Sequence, residues 1–265
     1  MTDWLPVCQE ATEDVKRVLR ELPTRDEREP VLGAGVGGDD TTAIDAAAER
    51  VVIERLDRTG ADFRLVSEEL GVREARGGGD AVVVLDPIDG SINAKRGVPF
   101  FALSIAVAEG PVMGDVVFGY LYDFGSGEEW TATRGAGALL NGGPLGPIFP
   151  KEQIELLSLE ATRTDLVALH VPSLVPLARR LRIMGSLALS LCHFAAGRVD
   201  AVCSLKTARS VDIAAAQLVV HERGLPIELA DAGPFEQAPL DLEGRSRVVA
   251  AATAERSAEL AAALG

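Results

Sequence analysis

The stretch Val82-Val-Val-Leu-Asp86-Pro-Ile-Asp89-Gly-Ser91 decides the fold assignment. Its apolar run predicts a strand that ends at Asp86, and Pro87 fixes a turn directly after it. Asp89 follows three residues later, so both carboxylates can converge on one point at the edge of a sheet. This arrangement suits a metal ion, and hard oxygen ligands favour Mg²⁺ or Mn²⁺ over zinc. An ordinary Asp-Gly turn would not require a second aspartate at the strand end.

Further polar groups follow the same pattern. Gly90 and Ser91 offer backbone N–H groups and a hydroxyl at a possible helix start, which suits a phosphate anion. Glu68 follows a short predicted strand; alone it would indicate a solvated surface pair, but two strand-end acid clusters favour a shared site. Asp212 lies in the first turn of a predicted helix with Ser210 as its N-cap, where capping of the helix dipole would by itself explain an aspartate.

Composition limits the classes of function. A chain of 265 residues with 47% hydrophobic content can bury a large core as one domain or two tightly joined halves. The net charge of −14 argues against a nucleic-acid partner, so an anionic substrate needs bound cations. Short apolar runs and a polar N-terminus predict a cytoplasmic protein without a membrane span. The three cysteines lack a Cys-x-x-Cys pair and are predicted to be buried.

Periodicity predicts an alternation of helices and strands, with a division near residues 135–150. The charged and glycine-rich residues 24–42 predict a mobile loop. The first half indicates helices against a sheet, and the second half alternates strand and helix. The predicted helices span 8–22, 43–58, 186–197, 210–223 and the C-terminus, and the predicted strands span 63–67, 81–85, 101–108, 116–122, 130–133, 156–160, 199–205 and 247–252.

An ordered set of motifs resembles the inositol monophosphatase superfamily, and especially the archaeal-type members that act on both inositol phosphates and fructose 1,6-bisphosphate. The motifs are Thr42-Ala-Ile-Asp45, Val66-Ser-Glu-Glu-Leu-Gly71, Asp86-Pro-Ile-Asp-Gly-Ser91 with Asn93 and Pro99-Phe-Phe, Gly135-Ala-Gly-Ala-Leu-Leu-Asn-Gly142 and Val211-Asp-Ile-Ala-Ala215. The resemblance implies a mixed α/β layered sandwich with alternating αβαβα layers, the sugar-phosphatase fold. We expect one domain, residues 1–265, whose halves, about 1–135 and 136–265, do not fold independently. A homodimer is also expected.

The resemblance further implies a Mg²⁺-dependent hydrolase of small sugar or polyol phosphates, with two or three ions. One ion would be held by Glu68, Asp86 and the Ile88 carbonyl, a second by Asp86, Asp89 and Asp212, and a weaker third near Glu68. Ser91, paired with Asp45, would orient or deprotonate the attacking water, and Mn²⁺ could replace Mg²⁺. The residues expected to bind substrate are Asp89, Gly90, Ser91, Gly185, Ser186, Arg182, Arg209 and Asp212; surface salt bridges are the other interpretation of the two arginines.

Two more expectations come from the resemblance. Thr42 stands where many archaeal-type relatives carry Lys, which predicts weaker loop closure or phosphate affinity. Inhibition by lithium is expected from the resemblance.

Residues 33–38 match a dinucleotide fingerprint only as a string, since the charged residues before them cannot form the required buried strand. The histidines lack a serine-hydrolase motif. Phosphatases for 3′-phosphoadenosine 5′-phosphate or histidinol phosphate, and a non-catalytic binding protein, are the remaining alternatives.

Overall fold

The chain is seen in a computed structural model that describes residues 2–36, 40–149, 151–161 and 163–265. Two short 3₁₀ turns, Met113–Asp115 and Phe235–Gln237, accompany the α-helices. The helices are α1 (Trp4–Glu21), α2 (Arg25–Arg28), α3 (Ala43–Arg58), α4 (Ser91–Arg96), α5 (Thr164–Leu174), α6 (Leu187–Ala195), α7 (Ser210–His221) and α8 (Ala254–Leu264).

The strands fall into a hairpin and two sheets within the described residues. The hairpin is β1 (Val31–Ala34) and β2 (Asp40–Thr42). The first sheet contains β3 (Phe63–Ser67), β4 (Gly71–Ala75), β5 (Val82–Asp89), β6 (Ala102–Ala108), β7 (Val116–Asp123), β8 (Glu129–Thr133), β9 (Gly137–Leu140) and β10 (Gly143–Pro144). The second contains β11 (Ile154–Glu160), β12 (Ala178–Arg182), β13 (Ala201–Ser204), β14 (Ile227–Leu229) and β15 (Val248–Ala251).

The first sheet has the order β10-β9-β8-β7-β6-β5-β3-β4 and is buried on both faces around β5. Successive side chains of a strand point to opposite faces. Val83 and Leu85 therefore pack with α1 and α3, whereas Val82 and Val84 pack with α6 and α7. This double burial explains the uninterrupted apolar run of β5.

Helices α6 and α7 form the middle layer. All residues of α7 except Asp212 and His221 are buried, as expected for a helix covered on both sides. Its other face meets the second sheet, order β12-β11-β13-β15-β14, through Val202 and Val248. The opposite face of that sheet packs on α5 and α8 through Leu159 and Val249. The layers are therefore α, β, α, β and α, which confirms the predicted sandwich.

Residues 24–42 differ from the predicted loop. They form α2 and the β1–β2 hairpin, in which Val31 lies opposite Thr42 and Ala34 opposite Asp40. The side chains of β1 are exposed, so backbone hydrogen bonds hold the hairpin and hydrophobic periodicity carries no signal of it. Residues 37–39 of this glycine-rich segment lie outside the described residues. The edge strands β4 and β12 were also missed, because both are rich in charged side chains.

Two further sequence-based expectations concern exposure. Cys8, Cys192 and Cys203 are buried and free, as predicted. Among the helices of the described residues, none combines the length and apolar character needed to cross a membrane.

We predict that Gly119→Ala lowers the free energy of unfolding by about 1–3 kcal/mol, because overpacking forces elements apart. Gly119 of β7 lies under α7, and a Cβ there would stand 2.7 Å from the Ala215 carbonyl oxygen. Urea unfolding measures the change. Gly233→Ala is the matched control, since a Cβ at Gly233 meets no described atom within 4 Å. Equal unfolding midpoints for the two variants would contradict the close packing of α7 on β7.

Candidate active site

Two acidic side chains lie at the ends of neighbouring parallel strands. β3 runs parallel to β5 with Ser67 paired with Leu85, and the Glu68 N–H donates to the Leu85 carbonyl at 3.2 Å. Carboxyl ends of parallel strands meet at one edge of a sheet, where ligands bind. Glu68 therefore follows β3 beside Asp86, and both side chains are buried.

A bulge in β5 turns a second aspartate of this strand toward the same point. Asp86 lies opposite Ser104 of β6 and Asp89 lies opposite Ala102, so three steps along β5 span two steps of its partner. In a regular strand, side chains three residues apart point to opposite faces, and the extra residue of a bulge changes this. The prediction that the strand ends at Asp86 is wrong, because pairing resumes at Asp89.

The start of α6 holds Asp89 in place. Its Oδ2 accepts a hydrogen bond from the Ala188 N–H at 2.9 Å and another, short one from the Ser186 hydroxyl. Ser186 is also the N-cap of α6, since its Oγ accepts from the Leu189 N–H at 3.2 Å. Ser186 is thus buried beneath Asp89, which it orients.

The first turn of α7 supplies a fourth carboxylate. Asp212 Oδ2 accepts from the Arg209 N–H at 2.7 Å, and Arg209 Nη2 donates to Asp212 Oδ1 at 2.9 Å. The same guanidinium nitrogen forms a short ion pair with Glu68 Oε1. Carboxylate oxygens of Glu68, Asp86 and Asp212 all lie within 4.8 Å of one another. Residues separated by 144 positions along the chain therefore share one site.

Burial dominates the electrostatics of this group. Burial raises the pKa of Glu68 to about 7, with Arg209 opposing the shift and Asp212 adding to it. Burial also raises the pKa of Asp89 to about 7. The pKa of Asp86 lies well above its usual range, because burial is reinforced by the charges of Glu68 and Asp89. Clustered carboxylate oxygens that disfavour their own charge fit a hard divalent cation, which would neutralise them.

The carboxylates line one cavity of about 600 Å³. Two predicted substrate residues do not line it: Ser186 lies beneath Asp89, and Arg182 is exposed at the end of β12, where its Nη1 donates to the Leu181 carbonyl at 2.8 Å. The predicted site residues that line the cavity are Asp45, Glu68, Asp86, Ile88, Asp89, Gly90, Ser91, Gly185, Arg209 and Asp212.

Asp45 presents one unused oxygen to this site. Its Oδ2 accepts from the Thr42 N–H at 3.2 Å, while its buried Oδ1 has no hydrogen-bond partner among the described residues. Burial raises the pKa of Asp45. The Ser91 hydroxyl donates to the Ile88 carbonyl at 3.1 Å. The side chains expected to handle water and the carbonyl expected to hold metal are thus in one place.

Gly90 is a position where only glycine fits. Its φ of 96° is in the left-handed region, and a Cβ would stand 3.1 Å from the carbonyl oxygens of Gly185 and Phe100. The close approach lets the backbone of two separate segments border the cavity.

One supporting residue was missed from the sequence. Glu49 of α3 is buried, and its Oε1 accepts from the N–H groups of Glu69 at 3.2 Å and Leu70 at 2.9 Å. It thereby fixes the turn that carries Glu68. A signal existed, because Glu49 lies four residues after Asp45 and so on the same face of the helix.

Two lysines of the cavity were also missed, Lys95 and Lys206. Burial raises the pKa of Asp45, and the charge of Lys95 opposes this shift. A cation therefore acts on Asp45 although Thr42 itself is neutral.

We predict that the metal-free protein loses thermal stability as the pH rises from about 5 to about 8. Glu68 and Asp89 have ordinary pKa values of 4.5 and 3.8, which the fold raises to about 7. The folded state therefore binds more protons than the unfolded state in this window, and that stabilisation is lost as the pH passes about 7. Melting temperatures of EDTA-treated protein measure the trend. Saturating Mg²⁺ should remove it, whereas a metal-free melting temperature that climbs through neutral pH would contradict the assignment.

Known proteins match this chain over nearly its full length. Residues 5–265 match the model of the inositol monophosphatase family. The chain is 32% identical over 262 residues to a Methanothermobacter thermautotrophicus protein named fructose-1,6-bisphosphatase/inositol-1-monophosphatase, with 95% of this chain and 93% of the relative covered. It is 31% identical over 252 residues to a protein of that name from Archaeoglobus fulgidus, with 94% and 93% covered.

A solved structure also matches the fold of this chain over nearly its full length. A crystal structure described as an inositol monophosphatase-fructose 1,6 bisphosphatase superposes with a TM-score of 0.86 at 27% identity, covering 99% of this chain and 100% of that chain. The family resemblance predicted from the motifs is confirmed. With its full-length match, its layered fold and its cavity of gathered carboxylates, the chain belongs to the inositol monophosphatase family.

Proposed function

We propose that this chain is a Mg²⁺-dependent phosphatase that hydrolyses phosphate monoesters of small sugars and polyols, inositol monophosphate and fructose 1,6-bisphosphate in particular. One observation carries the proposal: Glu68, Asp86, Asp89 and Asp212 come from three separate parts of the chain and line the same cavity. The relatives named above carry both substrates in their names.

The oxygen ligands divide between two ions in this proposal. Glu68, Asp86 and the Ile88 carbonyl hold one Mg²⁺, and Asp86, Asp89 and Asp212 hold the second, with a weaker third ion near Glu68. Mn²⁺ suits the same all-oxygen donor set. When bound, such ions polarise the phosphate and lower the pKa of a coordinated water.

The chain's own residues then position and deprotonate the water. Thr42 fixes Asp45 through Oδ2, which leaves Oδ1 as the acceptor for a proton from that water. The Ser91 hydroxyl, hydrogen-bonded to the Ile88 carbonyl in this structure, lies in the same cavity and orients the water. Glu68 lines the same cavity and would hold the first ion.

Substrate binding uses further groups of the same cavity. The N–H groups of Gly90 and Ser91 hold phosphate oxygens at the start of α4. Gly185 borders the sugar, and Asp89 and Asp212 accept from its hydroxyls. Ser186 acts through Asp89. Arg182, exposed and next in sequence to the cavity-lining Ile183, is a candidate for a second phosphate, and Arg209 is one if its guanidinium leaves Glu68.

The cavity lining favours a sugar over an adenine nucleotide. Among the described residues that line it there is no aromatic side chain, and its apolar members are aliphatic, such as Ile92, Ile183 and Leu187. Adenine is commonly bound by stacking on aromatic rings. Polar and aliphatic walls around carboxylates suit a polyol, so 3′-phosphoadenosine 5′-phosphate is the weaker alternative.

Phosphate release across a panel of compounds tests the function. The panel holds inositol 1-phosphate, fructose 1,6-bisphosphate, 3′-phosphoadenosine 5′-phosphate and histidinol phosphate, each with and without Mg²⁺. We expect turnover of the first two only when Mg²⁺ is present. Release from none of the four would favour the non-catalytic alternative. Sedimentation of the same preparation measures the predicted homodimer.

We predict that Asp89→Asn lowers kcat by about 10²-fold or more and leaves the melting temperature of the metal-free protein unchanged or higher. A neutral amide holds Mg²⁺ poorly, and a buried carboxylate with a raised pKa opposes folding at neutral pH. The assay is phosphate release at saturating Mg²⁺, with circular dichroism to verify the fold. Turnover near that of the unchanged protein would exclude Asp89 as a metal ligand.

Lithium should inhibit at concentrations where sodium has little effect. Li⁺ is close to Mg²⁺ in size, so it can occupy a magnesium position and retain product phosphate. The measurement is a lithium titration at saturating substrate over several Mg²⁺ concentrations. Complete insensitivity would contradict this prediction and leave the two-ion site standing.

A further inference from the structure

A guanidinium lies inside the group of carboxylates. Arg209 is 7% exposed, and its Nη2 contacts both Glu68 Oε1 and Asp212 Oδ1. Its Nε also lies 3.3 Å from Asp212 Oδ2. Although burial alone would lower the pKa of Arg209, the carboxylates of Asp212, Glu68 and Asp86 raise it above its usual value. This side chain is therefore a permanent positive charge in contact with two proposed metal ligands.

We propose that Arg209 is the internal counter-ion of the metal-free site and competes with the metal ion for Glu68. The inference rests on the metal site of the proposed function and adds a residue that sets the affinity of that site. It makes Arg209 a positioning residue, because it acts through the carboxylates and not on the reacting atoms.

The competition follows from the geometry. A carboxylate oxygen that accepts from a guanidinium has fewer lone pairs and less negative charge to offer a cation, so the contact with Nη2 weakens metal binding at Glu68 Oε1. A divalent cation bound to Glu68 would also repel the guanidinium, and such repulsion is strong between buried charges.

Asp212 is held differently from Glu68. Its Oδ2 accepts from the backbone N–H of Arg209 at 2.7 Å, a contact that does not depend on the guanidinium. Asp212 therefore keeps its orientation at the start of α7 when the side chain of Arg209 moves. Within the described residues, the Glu68 carboxylate is paired only with the guanidinium, so Glu68 is the ligand for which Arg209 and the metal ion compete.

Arg209 also affects the stability of the metal-free protein. Four carboxylates in one cavity repel one another when no metal is bound, and an unpaired buried charge is strongly destabilising. Arg209 offsets part of that charge in the metal-free protein. The same charge weakens metal binding, so the site gains stability when empty at the expense of affinity when filled.

Arg209→Met tests both the stability of the metal-free protein and its affinity for metal, since methionine is flexible and apolar and fills similar space. The protein is stripped of metal with EDTA and studied at pH 8.5. We expect the metal-free melting temperature to fall by roughly 6–15 °C, from the cost of breaking a buried ion pair in a chain of this size. The dissociation constant for Mn²⁺, measured by calorimetry, should fall by roughly tenfold or more.

The matched control is Arg55→Met. Arg55 bridges two carboxylates in the same way, with Nη1 2.6 Å from Glu10 and Nη2 2.8 Å from Asp14, but it joins α3 to α1 away from the cavity. This variant should also lower the melting temperature, while its Mn²⁺ dissociation constant stays that of the unchanged protein. Arg209→Lys gives an intermediate case, because one ammonium cannot reproduce the guanidinium fork.

The outcomes separate the inference from the proposed function. Weaker or unchanged Mn²⁺ binding in Arg209→Met, or an unchanged metal-free melting temperature, overturns the inference while metal binding by the parent protein leaves the proposed function intact. Absence of Mn²⁺ binding in the parent protein overturns the proposed function and the inference with it. If Arg209→Met does not fold, the same two quantities in Arg209→Lys decide, with tighter binding expected.

Discussion

The repulsion among carboxylates at the ends of β3 and β5 is the interaction on which the rest of the site depends. Glu68, Asp86 and Asp212 place oxygens within 4.8 Å of one another in a largely buried position. Burial raises the pKa of Glu68 and Asp86, so the ionised group is unfavourable unless cations are present. The fold holds these acids together against their own charge, and this makes the cavity a suitable place for a divalent cation.

The middle layer supplies the force that holds them. Helices α6 and α7 are covered by a sheet on each side, and each helix brings its N-terminal turn to the cavity. The start of α6 fixes Asp89 through Ser186, and the start of α7 carries Asp212. Packing of these helices on β7, where Gly119 allows close approach, therefore determines the distances between acids from both halves of the chain.

Charge at the cavity differs from charge over the whole molecule. A chain with net charge −14 repels anionic substrates at long range, and the phosphate must be attracted locally. Lys95, Lys206 and Arg209 lie among the acids of the cavity and offset part of their negative charge. A bound metal ion would offset more of it.

The sequence by itself determined the chemistry and the central elements. Apolar runs followed by Glu68 and Asp86 marked two buried strands and their acids, because a short apolar run and the acid directly after it are visible without any knowledge of packing. Helix α3 was predicted with its observed bounds, and the edge strands β4 and β12 were missed because tertiary pairing outweighs their charged side chains.

Tertiary structure alone decided which of these groups meet and in what state. The bulge that turns Asp89, the support of the Glu68 turn by Glu49, and the ion pair of Arg209 all join residues through the sheet register or through packed helices. Arg182 was grouped with the site on sequence grounds, but it does not line the cavity. Spacing along a chain reports which face of one element a side chain occupies, whereas the approach of two elements depends on the core between them.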